Sequence, residues 1–168
     1  MLYTTKNQIH IISEINKELY TEFRTHFKNI CNKNNNIELH ISSCGGSMYY
    51  THLILDLIQS SLKDIYAYVH NTISIGGYFG VASAASLICA YCNKIYIDYD
   101  ASFLIHHSRT DSGIVNYDED NIYFWMQHSN MDYSTAKTYL DNDLYMTSKE
   151  CMTHGIVTDI NYSNYELI

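Results

Sequence analysis

Ile37-Glu38-Leu39-His40-Ile41-Ser42-Ser43-Cys44-Gly45-Gly46-Ser47 is the stretch that decides how this chain folds. Residues 37–42 alternate apolar and polar, the pattern of a strand with one buried face. Cys44-Gly45-Gly46-Ser47 breaks that strand, and Leu53, Ile54, Leu57 and Ile58 then recur at helical spacing. Strand, glycine turn and helix together make half of a βαβ unit.

The same grammar extends in both directions. Upstream, residues 8–12 read as a short apolar strand, Ser13 stands where a helix N-cap would, and Ile15, Leu19, Phe23, Phe27 and Ile30 form a helical stripe. Downstream, residues 64–70 read as a strand, 72–74 as a turn, and 75–90 as a helix built largely of Gly, Ala and Ser. Residues 94–98 and 102–106 read as two more short strands, and 118–128 and 134–145 as helices. Strands alternating with helices give an α/β class with parallel pairing and right-handed connections, so the loops that follow successive strands gather along one edge of the sheet. Residues 45–46, 74 and 106 are thereby expected to converge.

A chain of 168 residues with 46% hydrophobic and 17% charged content supplies one core, and the reading is a single domain over 1–168. The net charge of -8 repels phosphate backbones and anionic lipid, which argues against nucleic acid and membrane partners. No stretch reaches a membrane-spanning length, and the start MLYTTKNQIH has neither the basic nor the apolar part of a signal peptide, so a cytoplasmic protein is expected. Five cysteines without a secreted framework's spacing point to reduced thiols. Cys89 and Cys92 form a lone CxxC at the end of an apolar segment, which reads as core packing, with no metal and no cofactor expected.

Ser74 sits where a strand turns toward a glycine-bearing segment, in His70-Asn71-Thr72-Ile73-Ser74-Ile75-Gly76-Gly77. A hydroxyl there can attack an acyl carbon beside free peptide N–H groups, or it can simply cap a helix. His106 ends a strand of the same sheet and is placed to act as a general base; His107 follows it, and only one of two successive strand residues faces a given side. Asp143, near the end of a helix, can orient such a base or be an exposed carboxylate. The Gly45-Gly46 step can lend a peptide N–H to an oxyanion or be a turn alone. The residues allow a nucleophile, a base and oxyanion donors without selecting them.

Four blocks in one order resemble the Clp protease proteolytic subunit over about residues 8–160. They are the 39–47 strand and double-glycine turn, Thr72-Ile73-Ser74-Ile75-Gly76-Gly77, Phe103-Leu104-Ile105-His106-His107, and Asn142-Asp143-Leu144-Tyr145-Met146-Thr147-Ser148-Lys149-Glu150 followed by Gly155-Ile156-Val157-Thr158-Asp159. The resemblance implies the fold shared by Clp peptidases and crotonases, repeated ββα (βαβ) layers with a helical handle at roughly 108–145. It implies Ser74 as nucleophile, His106 as general acid/base, Asp143 as its orienting residue, and the N–H groups of Gly46 and Ile75 as the oxyanion hole. It further implies hydrolysis of peptides or unfolded protein through an acyl-enzyme, inside a homo-oligomeric ring chamber fed by an ATP-driven AAA+ unfoldase. The chain starts almost at its first core strand and its stretch between His106 and Asp143 is about a dozen residues shorter than is usual in the family. A divergent, shortened member is expected, with altered unfoldase docking and ring stacking. Cys44 stands where the family has a turn proline.

Other readings of the same residues are a non-catalytic subunit that keeps the fold to build an assembly, a phage procapsid-maturation protease with the same triad, and a crotonase-like acyl-CoA enzyme. The last would need a basic site for the CoA phosphates, and 10 lysines and arginines in all argue against it.

Overall fold

The computed structural model describes residues 2–4, 7–33, 36–71, 80–109 and 117–162. Its elements run β1 (Leu2–Thr4), β2 (Gln8–Ile11), α1 (Lys17–Cys31), β3 (Asn36–Ile41), α2 (Met48–Gln59), β4 (Asp64–Val69), β5 (Gly80–Ala82), α3 (Ala84–Ala90), β6 (Lys94–Asp98), β7 (Ser102–Leu104), α4 (Glu119–Gln127), α5 (Tyr133–Asn142), β8 (Tyr145–Thr147), α6 (Ser148–Thr153) and β9 (Asp159–Asn161).

A six-stranded sheet has the order β1-β2-β3-β4-β6-β9, and a second, three-stranded sheet has the order β5-β7-β8. Among the described residues, these strands pair in parallel except β1 with β2 and β7 with β8. The alternation in β3 buries Ile37, Leu39 and Ile41 on one face and leaves Glu38 and His40 half-buried on the other. Leu19, Phe23, Phe27 and Ile30 of α1 close over the apolar face, each worth about 1.5–3 kcal/mol of burial. Helices α4 and α5 occupy the stretch read as the handle and bury Ile122, Trp125, Ala136 and Leu140.

Four expectations are corrected. Ser13 does not cap α1: Ile15 bridges to Gly46 in extended backbone, so the helix begins later and the Asn16 side chain accepts from the Leu19 N–H at 3.0 Å. The helix read over 75–90 is described only from Ala84, because Gly80–Ala82 form β5; residues 72–79 lie outside the described residues. Small side chains carry no 3.6-residue periodicity, and pairing with β7 fixes them as strand. Strand β7 ends at Leu104, short of His106, and α5 ends at Asn142, after which Tyr145–Thr147 pair with β7.

Candidate active site

The turn after β3 packs directly against the start of α3. Gly45 has φ +92, and a Cβ placed on it would stand 2.7 Å from the Ala82 carbonyl oxygen, 2.8 Å from Ser83 Cβ and 2.9 Å from the Ala84 nitrogen. Only glycine fits that approach. Its neighbour Gly46 also has positive φ and is bridged to Ile15, whose N–H donates to the Gly45 carbonyl at 2.7 Å. The glycine turn is thus wedged between the entry to α1 and the entry to α3.

Ser83 joins β5 to α3 with φ 58 and ψ -127. This is a conformation that a residue with a side chain adopts at a cost of about 1–3 kcal/mol. Its N–H donates to the Leu104 carbonyl at 3.0 Å, and its side chain accepts no capping hydrogen bond from the helix. The Ser86 hydroxyl donates to the same Leu104 oxygen at 2.7 Å, so α3 is pinned to the end of β7.

His106 follows that strand end. Its Nδ1 lies 2.6 Å from the carbonyl of His107, a contact in which Nδ1 carries the proton and donates, leaving Nε2 as an acceptor. Asn121 of α4 donates to the His106 carbonyl at 3.2 Å. His107 is buried, with Nε2 3.0 Å from Asp141 on α5. Asp141 also pairs with Lys137, and these two partners, Lys137 first, hold its carboxyl below the usual carboxylate range. Asp143 caps α5 in the left-handed conformation, which Asp tolerates better than most residues, and pairs with Arg109.

A cavity of about 490 Å³ opens between these elements. Gly46, Ser83 and His106 line it together with the apolar Leu87, Tyr91, Phe124 and Trp125 and the charged Arg109, Asp118 and Asp120. Its size and its apolar wall with a few polar groups suit a side chain of a bound ligand.

Of the residues nominated from sequence, Gly46 and His106 are brought to this cavity. Asp143 lies on Arg109, and among the described residues no hydrogen bond joins it to His106. Ser74 and Ile75 lie outside the described residues. The sequence pattern does not single out Ser83, because Ser74 carries the Ser-apolar-Gly order whereas Ser83 is followed by Ala84-Ala85; the β-branched Val81 between Gly80 and Ala82 is the one local sign of a strand there. The CxxC thiols belong to packing: Cys89 is in the core, Cys92 donates to the Ile88 carbonyl at 3.3 Å, and burial pushes the Cys92 thiol up to about 12.

Comparison with known proteins agrees with this architecture. The ClpP protease catalytic domain from Plasmodium falciparum is 24% identical and superimposes with a TM-score of 0.71, covering 93% of this chain and 85% of that one. A ClpP1 point mutant from Listeria monocytogenes is 18% identical with a TM-score of 0.76, covering 94% of this chain and 92% of that one. No curated protein matches the sequence. The family model for Clp protease matches residues 2–164, and on that match the chain belongs to the Clp protease family.

Proposed function

We propose that the chain is a serine endopeptidase that cleaves peptide bonds through an acyl-enzyme. A serine hydroxyl in the segment between β4 and α3 attacks the scissile carbonyl; Ser74 is the hydroxyl nominated by the sequence motif, with the Ile75 N–H beside it. His106 Nε2 takes the hydroxyl proton and returns it to the amine as the C–N bond breaks. The Gly46 N–H faces the developing oxyanion, where loss of one donor costs about 2.7–4 kcal/mol. Asp143 orients His106 once it leaves Arg109. The observation that carries this reading is the cavity that His106 shares with the glycine turn, with the acceptor nitrogen of the imidazole left available.

Family membership supports a protein substrate, and the resemblance supports a ring of copies enclosing the sites and an ATP-driven unfoldase as feeder. The pairing of Asp143 with Arg109 favours a second reading, a non-catalytic subunit that builds the assembly. Hydrolysis of an unfolded protein and a short peptide by the assembled chain separates them. The peptidase reading expects turnover that falls at least about 10³-fold in His106→Ala. Equal rates in the two proteins, or no turnover by the assembled wild type, would select the structural subunit.

A further inference from the structure

The geometry points to Ser83, in place of Ser74, as the attacking hydroxyl; the inference rests on the peptidase reading and names its nucleophile. Four independent features meet at this residue. Its backbone is strained at φ 58 and ψ -127 with a side chain present, so the fold holds a conformation that glycine would adopt at less cost. Strained turns from strand to helix expose a nucleophile's Oγ above a sheet in other serine hydrolases, and the strain has no structural use visible here. A serine at a helix start commonly caps the helix, yet the Ser83 side chain accepts no capping hydrogen bond, so that explanation fails for this residue.

The second pair of features is positional. Strands β5 and β7 run parallel with Ala82 beside Leu104, and the Ser83 N–H donates to the Leu104 carbonyl. Neighbouring strands lie about 4.8 Å apart, so Ser83 stands next to the backbone that leads directly into His106. Ser83 and His106 both line the cavity, as does Gly46. Finally, Gly45 approaches Ser83 so closely that any Cβ would strike Ser83 Cβ at 2.8 Å. The double glycine therefore serves Ser83, bringing the Gly46 backbone to the place where a carbonyl attacked by this hydroxyl would sit.

In the proposed step Ser83 Oγ forms a bond to the carbonyl carbon while its proton passes to His106 Nε2. That proton then goes to the leaving amine as the C–N bond breaks, leaving an ester on Ser83. Water attacks the ester, gives a proton to His106, and the hydroxyl is restored as the acid departs.

The test is reaction of the assembled chain with a fluorophosphonate, in which serine Oγ displaces fluoride at phosphorus, followed by peptide mapping. No lysine or arginine lies between Lys63 and Lys94, so trypsin leaves both serines on one fragment, and cleavage after Tyr78 or Phe79 is needed to separate them. The adduct is expected on the fragment holding Ser83. Ser83→Gly, which accepts the positive φ, is expected to lose the adduct and peptide hydrolysis while its melting temperature stays equal or rises. An adduct on Ser74, or hydrolysis retained in Ser83→Gly, would overturn the assignment and leave the peptidase reading standing. Absence of both adduct and hydrolysis in the wild-type assembly would overturn the two together.

Discussion

Asp143, the left-handed cap of α5, is paired with Arg109, while His106 gives its Nδ1–H to the carbonyl of His107 2.6 Å away. The carboxylate and the imidazole that it would orient are thus each engaged elsewhere. The carbonyl already sets the tautomer that a base needs, with Nε2 free to accept. What it lacks is the negative charge that would stabilise the imidazolium formed on attack.

If Asp143 supplies that charge in the working state, Asp143→Asn lowers kcat by about 10⁴-fold. Steady-state peptide hydrolysis at saturating substrate measures it. A loss under about tenfold would mean that the His107 carbonyl orients His106 unaided and that Asp143 serves only the ion pair with Arg109.

Gly45→Ala places a methyl against backbone atoms of Ala82 and Ala84 and against Ser83 Cβ, none of which is the far end of a flexible side chain. The expected outcome is destabilisation of more than about 1 kcal/mol, from the positive φ and the clash together, and loss of hydrolysis. Denaturant melts and activity measured on the same sample check this. An active Gly45→Ala protein of wild-type stability would contradict the close approach to Ser83.

Acid sensitivity follows from the half-buried face of the large sheet. His10 stacks on His40 at 4.5 Å, His40 Nδ1 lies 2.7 Å from His70 Nε2, and His70 Nδ1 lies 3.1 Å from Asp98. Glu38 faces His40, and the rings of Tyr68 and Tyr96 continue the stack. Burial first, then His40 and His70, push His10 down to about 4 from 6.5. Burial and His70 likewise lower His40, against the pull of Glu38. The unfolded chain therefore binds more protons than the folded one below pH 6.5, and stability contributed by the neutral His10 ring is lost as pH falls from 6.5 toward 4. Thermal melts across that range should slope downward toward acid, and His10→Gln should flatten the slope; identical slopes would remove His10 from the account.

His107 ties the strand end to α5 through Asp141 while packed at 2% exposure. His107→Ala leaves a void and removes the hydrogen bond to Asp141, which keeps its pairing with Lys137, at a cost of about 2 kcal/mol in unfolding free energy. A loss below about 1 kcal/mol in urea melts would show that α4 and α5 are held without this contact.

The parallel sheet was legible because 37–42, 64–70 and 94–98 carry alternating or continuous apolar residues that only strands bury, and glycine marks where they stop. The stripe of α1 was legible for the corresponding helical reason, although its start was not. Ile15 reads as the first turn of a helix until its bridge to Gly46 is known. The segment 75–90 was opaque because Gly, Ala and Ser fit strand and helix alike, and β5 exists through its partners Ser43 and β7. Gly46 and His106 reach one cavity as the order of strands and turns predicts, although the strand before His106 stops at Leu104, two residues earlier than its apolar pattern suggests. Ser83 was hidden in that small-residue segment, and the partner of Asp143 depends on the path of the backbone around Arg109, which no local pattern encodes.

The central claim is that a serine of this chain becomes acylated with His106 as its base. Mixing the assembled chain with an activated acyl ester and recording both the release of the leaving group and the intact protein mass tests it most directly. The account predicts a burst of leaving group equal to the number of chains and a mass increase of one acyl group, both absent in His106→Ala. Peptide hydrolysis that proceeds with no burst and no added mass, or a burst unchanged in His106→Ala, would contradict it.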